Sequence, residues 1–139
     1  MNKYRSGYEE RVSKTLPEGF TYECTVLDYY KRTSRKMQCQ DCSSVHVLQY
    51  AKYLTDFKLP NGIFLEVKGW FKPADRTKMV SVIKCNPTLD IRMVFQKQGW
   101  CTKKKLQTYT DWCDKNKIKW AIGKVPNSWL EEPAKERMK

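Results

Sequence analysis

The chain has 139 residues, a length that suits a single domain with a buried core of its own. Its 27 Lys and Arg residues outnumber 15 acidic residues and give a net charge of +12, which favours a polyanionic partner such as nucleic acid over a merely solvated basic surface. No apolar run reaches the length of a membrane span and the N-terminal segment lacks the apolar core of a signal peptide, so we expect neither membrane insertion nor export, and reduced cysteines.

The first predicted elements are a short helix and two stretches of strand. Ser6 and Glu9 have the spacing of a capping box, which predicts the start of the helix. Residues 20–30 alternate apolar and polar side chains and predict one continuous strand. Residues 31–44 are polar and basic and predict an irregular segment, after which strand character returns in residues 45–59.

The segment TDFKLPNGIFLEVKG, residues 55–69, predicts a β-hairpin. Two runs rich in Phe, Leu, Ile and Val flank the sequence Pro-Asn-Gly at residues 60–62, which is a strong turn signal. A turn at this point pairs Leu59 with Ile63. This register decides which polar side chains of the two arms face each other.

Three charged residues interrupt the apolar arms of this hairpin. The register places Asp56 opposite Glu66, and Lys68 projects from the same face as Glu66. Two facing carboxylates repel each other unless a positive group lies between them, and a divalent cation would fill that place. The spacing Asp-x9-Glu-x-Lys on a hairpin is that of metal-dependent nucleases of the PD-(D/E)xK type, whereas the alternative is a surface salt bridge.

After Lys72 the hydrophobic pattern changes from strand periodicity to alternating helices and strands. The predicted elements are a helix in residues 73–86, a buried strand in 89–95, a helix in 107–117, a strand in 118–122 and a helical turn in 126–132. Cys85 and Cys113 lie on the helices and are expected in the core. The order predicts an α/β fold with α+β character, in which a mixed central β-sheet is flanked by helices.

Seven segments carry a resemblance to a known family. They are RSGYEERVSK (residues 5–14), TDFKLPNGIFLEVKG (55–69), DR (75–76), LDIRMVF (89–95), YTDWC (109–113), IKWA (118–121) and P-x-x-W-x-x-EP (126–133). In this order and spacing the chain resembles the bacteriophage endonuclease I family, the junction-resolving enzymes of short-tailed phages. Thr55 stands where the PD-(D/E)xK motif usually has proline, which affects backbone shape and not ligation.

The resemblance implies a restriction-endonuclease-like core and assigns roles to individual residues. Asp56 and Glu66 match the shared metal ligands, with the backbone carbonyl of Val67 as a further oxygen, and Lys68 matches the catalytic lysine. Glu9 matches a fourth catalytic carboxylate that helps to hold a second ion, although its position alone would make it the capping-box glutamate. The implied cofactor is Mg²⁺, two ions per site, with Mn²⁺ able to substitute.

The resemblance also implies an assembly and a substrate. The family forms a domain-swapped homodimer with composite active sites, so Glu9 would act in trans. The implied function is to resolve branched DNA, that is four-way Holliday junctions, by paired nicks near the branch point that leave 5′-phosphate ends, in the cytoplasm of the infected bacterial host. The alternatives are a nuclease of the same fold that acts on mismatched, single-stranded or host duplex DNA, and a branched-DNA-binding protein without activity.

Residues 1–139 are expected to form one nuclease domain with a short charged C-terminal tail. Within it, residues 29–53 resemble the family least and correspond to the bridge between the swapped halves. This segment contains Cys39 and Cys42 at zinc-knuckle spacing, but a structural zinc requires four ligands and His46 is the single further candidate nearby. A Zn²⁺ site shared across the dimer therefore competes with paired free thiols or a reversible disulfide.

Overall fold

A computed structural model describes residue 4 and residues 6–23, 25–37 and 45–133, with the backbone alone for residues 31–37 and 45–48. The elements are α1 (Gly7–Ser13), β1 (Thr21–Tyr22), β2 (Val26–Met37), β3 (Val45–Leu54), β4 (Phe57–Lys58), β5 (Phe64–Lys68), α2 (Pro73–Cys85), β6 (Ile91–Phe95), α3 (Tyr109–Lys115), β7 (Trp120–Ile122) and α4 (Asn127–Leu130). The helices and strands after residue 72 are those that the sequence predicts. In the described part of the chain, no helix is both long enough and apolar enough to cross a membrane.

Five strands form the central sheet in the order β1-β4-β5-β6-β7. β1, β4 and β5 pair in antiparallel fashion, whereas β5, β6 and β7 are parallel. The crossover from β5 to β6 runs through α2, as the strand-helix-strand order requires. The prediction of a mixed central sheet is confirmed.

β2 and β3 form a separate two-stranded antiparallel sheet, with Val26 paired to Leu54 at one end and Met37 paired to Val45 at the other. The prediction of an irregular segment is therefore wrong for residues 31–37, because a long strand partner compensates for their polar composition. Cys39 and Cys42 lie outside the described residues.

The prediction of one continuous strand in residues 20–30 is also wrong. β1 ends at Tyr22, and Glu23 adopts a φ of 50°, the left-handed conformation that a non-glycine residue rarely takes. β2 then begins at Val26 and joins a different sheet. A positive φ cannot be read from an alternating pattern, so the break is a result of the tertiary structure.

Alternation along β5 and β6 sends apolar side chains to both faces of the central sheet. Phe64 and Met93 belong to a core that includes residues of α2 and α3, whereas Leu65 and Val94 belong to a second core that includes residues of α1 and α4. The described helices therefore cover the sheet on both sides. Glu66 follows Leu65 in β5 and consequently faces α2.

The two helical cysteines differ from each other. Cys113 is completely buried, as expected for a small apolar core residue. Cys85 is exposed as the last residue of α2, so the prediction of a core position is wrong there. A helix terminus carries less of the apolar stripe than its middle, where Val82 is buried.

Candidate active site

α1 is attached to the sheet through a buried tyrosine. The Tyr8 hydroxyl donates hydrogen bonds to the carbonyl oxygens of Phe95, at 3.1 Å, and Gly123, at 3.0 Å. Both acceptors lie at the carboxyl ends of parallel strands, so α1 is fixed near that edge of the sheet. Burial raises the pKa of Tyr8 to about 12, against a smaller lowering by Arg11, so the hydroxyl remains a donor at neutral pH.

The Glu9 carboxylate does not complete a capping box. Ser6 caps α1 by accepting a hydrogen bond from the Glu9 N–H at 3.1 Å, which is the half of the motif that the sequence predicted correctly. The carboxylate itself accepts a hydrogen bond from the Tyr22 hydroxyl at 2.5 Å and is 7% exposed. Glu9 is therefore available for a site near the end of β1.

The hairpin has the predicted register. The Leu59 N–H donates to the Ile63 carbonyl at 2.8 Å, and Phe57 pairs with Leu65. Gly62 adopts a φ of 92°, which explains why a glycine is needed in this turn. One further step in this register sets Asp56 opposite Glu66.

Asp56 lies directly before β4, at the end of the sheet where β5 finishes. Its Oδ2 accepts a hydrogen bond from the Val67 N–H at 2.8 Å, and its carbonyl oxygen accepts one from the Glu23 N–H at 2.9 Å. In a strand the N–H and C=O of one residue point to the same side, so the Val67 carbonyl is directed toward the side where Asp56 lies. Asp56 thus connects β5 with the turn that follows β1.

Three carboxylates meet at this edge, and we term them the acidic triad: Glu9, Glu23 and Asp56. Each offers an oxygen atom within 4.8 Å of the other two. Glu9 comes from α1, Glu23 from the turn after β1 and Asp56 from the segment before β4, all within one chain. The sequence predicted Glu9 and Asp56 but missed Glu23, and the available signal was an acidic residue next to Tyr22 in an otherwise apolar alternation.

A second charged cluster, which we term the lysine group, consists of Glu66, Lys68 and Asp75. The Lys68 Nζ lies 3.2 Å from the Glu66 Oε1 and 3.7 Å from the Asp75 Oδ1. Asp75 belongs to the first turn of α2, whereas the other two side chains belong to β5. Of the predicted site residues, the structure therefore places Glu66 beside Lys68 and Glu9 near Asp56. It adds Glu23 to the acidic triad and Asp75 to the lysine group.

Glu66 is the most deeply buried carboxylate of the two clusters, with 3% of its surface exposed. Burial raises the pKa of Glu66 to about 7, against the lowering effect of Lys68 and Lys78. Its buried Oε2 has no hydrogen-bond partner among the described residues. A buried carboxylate oxygen without a donor fits a cation ligand, because a cation would satisfy both its charge and its lone pairs.

The Lys68 ammonium is held in its charged form. Burial lowers the pKa of Lys68, but the carboxylates of Glu66, Asp75 and Asp56 outweigh burial and the net shift is upward. The charge of Asp56 therefore acts on both clusters. The combined arrangement offers oxygen donors for a hard cation on one side and a fixed positive charge on the other.

The comparisons with known proteins agree with one another. Residues 1–139, the whole chain, match the family model described as Phage endonuclease I. The chain is 36% identical over 140 residues to Endonuclease I of Escherichia phage T7, covering 98% of this chain and 84% of the relative. It is 34% identical over 137 residues to Endodeoxyribonuclease 1 of Enterobacteria phage T3, covering 96% of this chain and 80% of the relative.

Proposed function

This chain belongs to the phage endonuclease I family and is an endonuclease, and on that premise we propose that it resolves four-way DNA junctions in a divalent-metal-dependent reaction. The observation that carries the proposal is the position of the acidic triad beside Glu66 and Lys68 on the hairpin. Hydrolysis of a phosphodiester requires a hard cation, oxygen ligands and a positive charge near the phosphate. The two clusters supply the ligands and the charge.

The residues that would hold the metal are those with oxygen atoms at the sheet edge. They are Asp56, Glu66 and the Val67 carbonyl, together with Glu9 and Glu23. When bound, Mg²⁺ or Mn²⁺ polarises the scissile phosphate and lowers the pKa of a bound water molecule. Asp56 has one carboxylate oxygen fixed by the Val67 N–H and lies in the acidic triad, so it suits a ligand shared by two ions.

The side chains perform the remaining tasks. Lys68 carries a fixed positive charge beside Glu66, where it would meet negative charge that develops on the phosphate or orient the attacking water. The Glu66 carboxylate must be ionised to act as a ligand, and Lys68 favours that form. The net charge of +12 provides phosphate contacts that position the DNA without regard to sequence.

We propose a homodimer with composite active sites as the assembly that selects a branched substrate. Two nicks near one branch point require two active sites, and an exchange of α1 between chains would form the same Glu9–Asp56 contact that the structure has within one chain. Each nick would leave a 5′-phosphate. Selection would come from the angle between two basic surfaces and not from base contacts.

The decisive experiment compares two substrates of identical sequence. Wild-type protein is mixed with a radiolabelled four-way junction or with the matching linear duplex in Mg²⁺, and 5′-phosphate product ends are mapped. We expect paired nicks near the branch point and little cleavage of the duplex. Equal cleavage of both would leave a nuclease of broader substrate range, and binding of the junction without cleavage in any divalent cation would contradict a catalytic role.

Subunit exchange tests the composite site. Glu9→Ala and Asp56→Ala are each expected to be inactive, because each removes an acidic ligand from every site. In a mixed dimer with sites in trans, one site loses both residues and the other regains both, so an equimolar mixture recovers part of the wild-type activity. No recovery after verified exchange would contradict the trans arrangement and favour sites formed within one chain.

A further inference from the structure

We infer that Asp75 is a positioning residue for Lys68: from the first turn of α2 it holds the Lys68 ammonium at the hairpin site. The inference rests on the proposed function, since the position of Lys68 matters for catalysis only if Lys68 acts on the phosphate. Asp75 lies outside the hairpin motif and would not contact the substrate in this role. Its effect on the reaction would be exerted through Lys68.

The two oxygen atoms of Asp75 have different partners. Oδ1 lies 3.7 Å from the Lys68 Nζ, whereas Oδ2 accepts a hydrogen bond from the Lys72 N–H at 3.2 Å. The second contact satisfies a backbone donor at the N-terminus of α2. One side chain therefore ties the start of α2 to the end of β5.

The first turn of α2 is itself held in place. The Arg76 guanidinium donates hydrogen bonds to the carbonyl oxygens of Phe71, at 2.7 Å, and Cys101, at 3.0 Å. Phe71 is 1% exposed and packs in the core between β5 and α2. Because these contacts fix the backbone on either side of Asp75, its carboxylate is a rigid partner for a flexible lysine stem.

Lys68 needs a partner other than Glu66. Its side chain is 24% exposed, and its closest acidic contact is Glu66, which we assign to the metal site. A carboxylate that shares its negative charge with a cation attracts a neighbouring ammonium less strongly. Asp75 comes from a different element and is not one of the assigned ligands, so it would continue to hold Lys68 when the site is loaded.

The alternative role for Asp75 is capping alone, and the chain contains a matched control for it. Asp111 occupies the same position in α3, where its Oδ2 accepts a hydrogen bond from the Thr108 N–H at 3.1 Å. Among the described residues Asp111 forms no ion pair with a lysine. Substitution by Asn removes the charge at either position and leaves a side-chain oxygen that can accept the capping hydrogen bond.

The experiment compares Asp75→Asn, Asp111→Asn and Lys68→Met by junction cleavage in Mg²⁺ and by junction binding in chelator. We expect Asp75→Asn to lower kcat by about tenfold, the cost of losing a group that orients a catalytic residue, while KM and junction affinity stay at wild-type values. Asp111→Asn should keep the wild-type kcat. Asp75→Glu, which keeps the charge, should recover part of the lost activity.

A second readout does not depend on the loaded enzyme. In chelator, the Tm changes of Lys68→Met and Asp75→Asn should be non-additive in the double variant, because both remove the same contact. Additive changes, an unchanged kcat in Asp75→Asn, or equal losses in Asp75→Asn and Asp111→Asn would each overturn the positioning role. If one of these results is found and Lys68→Met is inactive, only the positioning role of Asp75 is contradicted and the proposed function is retained. If Lys68→Met is active, both the positioning role and the proposed catalytic role of Lys68 are contradicted.

Discussion

The acidic triad and the lysine group both include residues of the hairpin segment, and they balance charge in different ways. Glu9, Glu23 and Asp56 place three carboxylate oxygens within 4.8 Å of one another. In the lysine group two carboxylates share one ammonium, which lies 3.2 Å from Glu66 and 3.7 Å from Asp75. The lysine group therefore places an ammonium between its carboxylates, whereas the acidic triad brings together three side chains that can each offer an oxygen atom to a metal ion.

This difference indicates what each cluster does. Two unit charges 4.8 Å apart repel by roughly 3 kcal/mol at an effective dielectric constant of about 20, so an ionised triad is unfavourable without a counter-charge. Its members are nevertheless held in place from three separate elements. A fold that brings three acids together suits the binding of a divalent cation, and the lysine group suits the stabilisation of negative charge on a substrate.

The sharpest way to separate the clusters is Asp56→Asn. We expect cleavage to fall roughly a thousandfold, because removal of a central ligand takes away about 4 kcal/mol of metal-assisted stabilisation. In chelator the same variant should unfold at a Tm close to that of wild type, since Asn can still accept the hydrogen bond from the Val67 N–H. Cleavage rates in Mg²⁺ and thermal unfolding in chelator test this. A large loss of Tm together with the lost activity would show that Asp56 is mainly structural.

The lysine group should give a pH-dependent stability through Glu66. Burial raises the pKa of Glu66 from 4.5 to about 7. Because the pKa of Glu66 is higher in the folded state than in the unfolded state, its protonated form favours folding. This contribution to the free energy of unfolding is fully present below pH 4.5 and is lost as the pH rises through about 7. We expect the free energy of unfolding of the metal-free protein to fall over this window by on the order of 3 kcal/mol more in wild type than in Glu66→Gln, which remains neutral.

Denaturant unfolding in chelator at several pH values measures this difference. The Gln side chain keeps the size of the Glu side chain, so the comparison isolates the ionisation. If wild type and Glu66→Gln have parallel stability curves, the buried carboxyl titrates close to its ordinary pKa, and Lys68 compensates for its burial more completely than the geometry indicates.

Glu23 should have the smallest effect, because it is the least buried member of the acidic triad. We expect Glu23→Gln to raise the Mg²⁺ concentration needed for half-maximal cleavage by about tenfold, with little change in rate at saturating Mg²⁺. The exposed Glu18→Gln is the matched control and should behave as wild type. A Mg²⁺ titration of cleavage distinguishes the two, and identical titrations would remove Glu23 from the proposed ligand set.

The sequence predicted the parts of the site that lie within one supersecondary unit. The turn signal at residues 60–62 and the alternation in its arms gave the register that sets Asp56 opposite Glu66, and the same periodicity set Lys68 on the face of Glu66. The capping spacings of Ser6 and Thr108 likewise identified the starts of two helices. These features depend on neighbours a few residues apart, so local stereochemistry is sufficient to specify them.

Other features depended on contacts between distant parts of the chain. Ser6 and Glu9 alone predicted a complete capping box, but the Glu9 carboxylate accepts a hydrogen bond from the Tyr22 hydroxyl instead. The alternation around Glu23 predicted a continuous strand, whereas the chain turns there with a positive φ and adds a third acid to the site. Asp75 reads as a helix-capping residue, and only the packing of α2 beside β5 places it next to Lys68.

By itself, the sequence determined the mixed sheet, the hairpin and its charged residues, and the resemblance to the endonuclease family that the comparisons confirm. Only the tertiary structure decided that Glu23 joins Glu9 and Asp56, and that Asp75 faces Lys68. The physical reason is that periodicity and turn chemistry fix the positions of residues within one element. Contacts between side chains of separate elements depend instead on how those elements pack, which is set by contacts such as the hydrogen bonds of Tyr8 and Arg76.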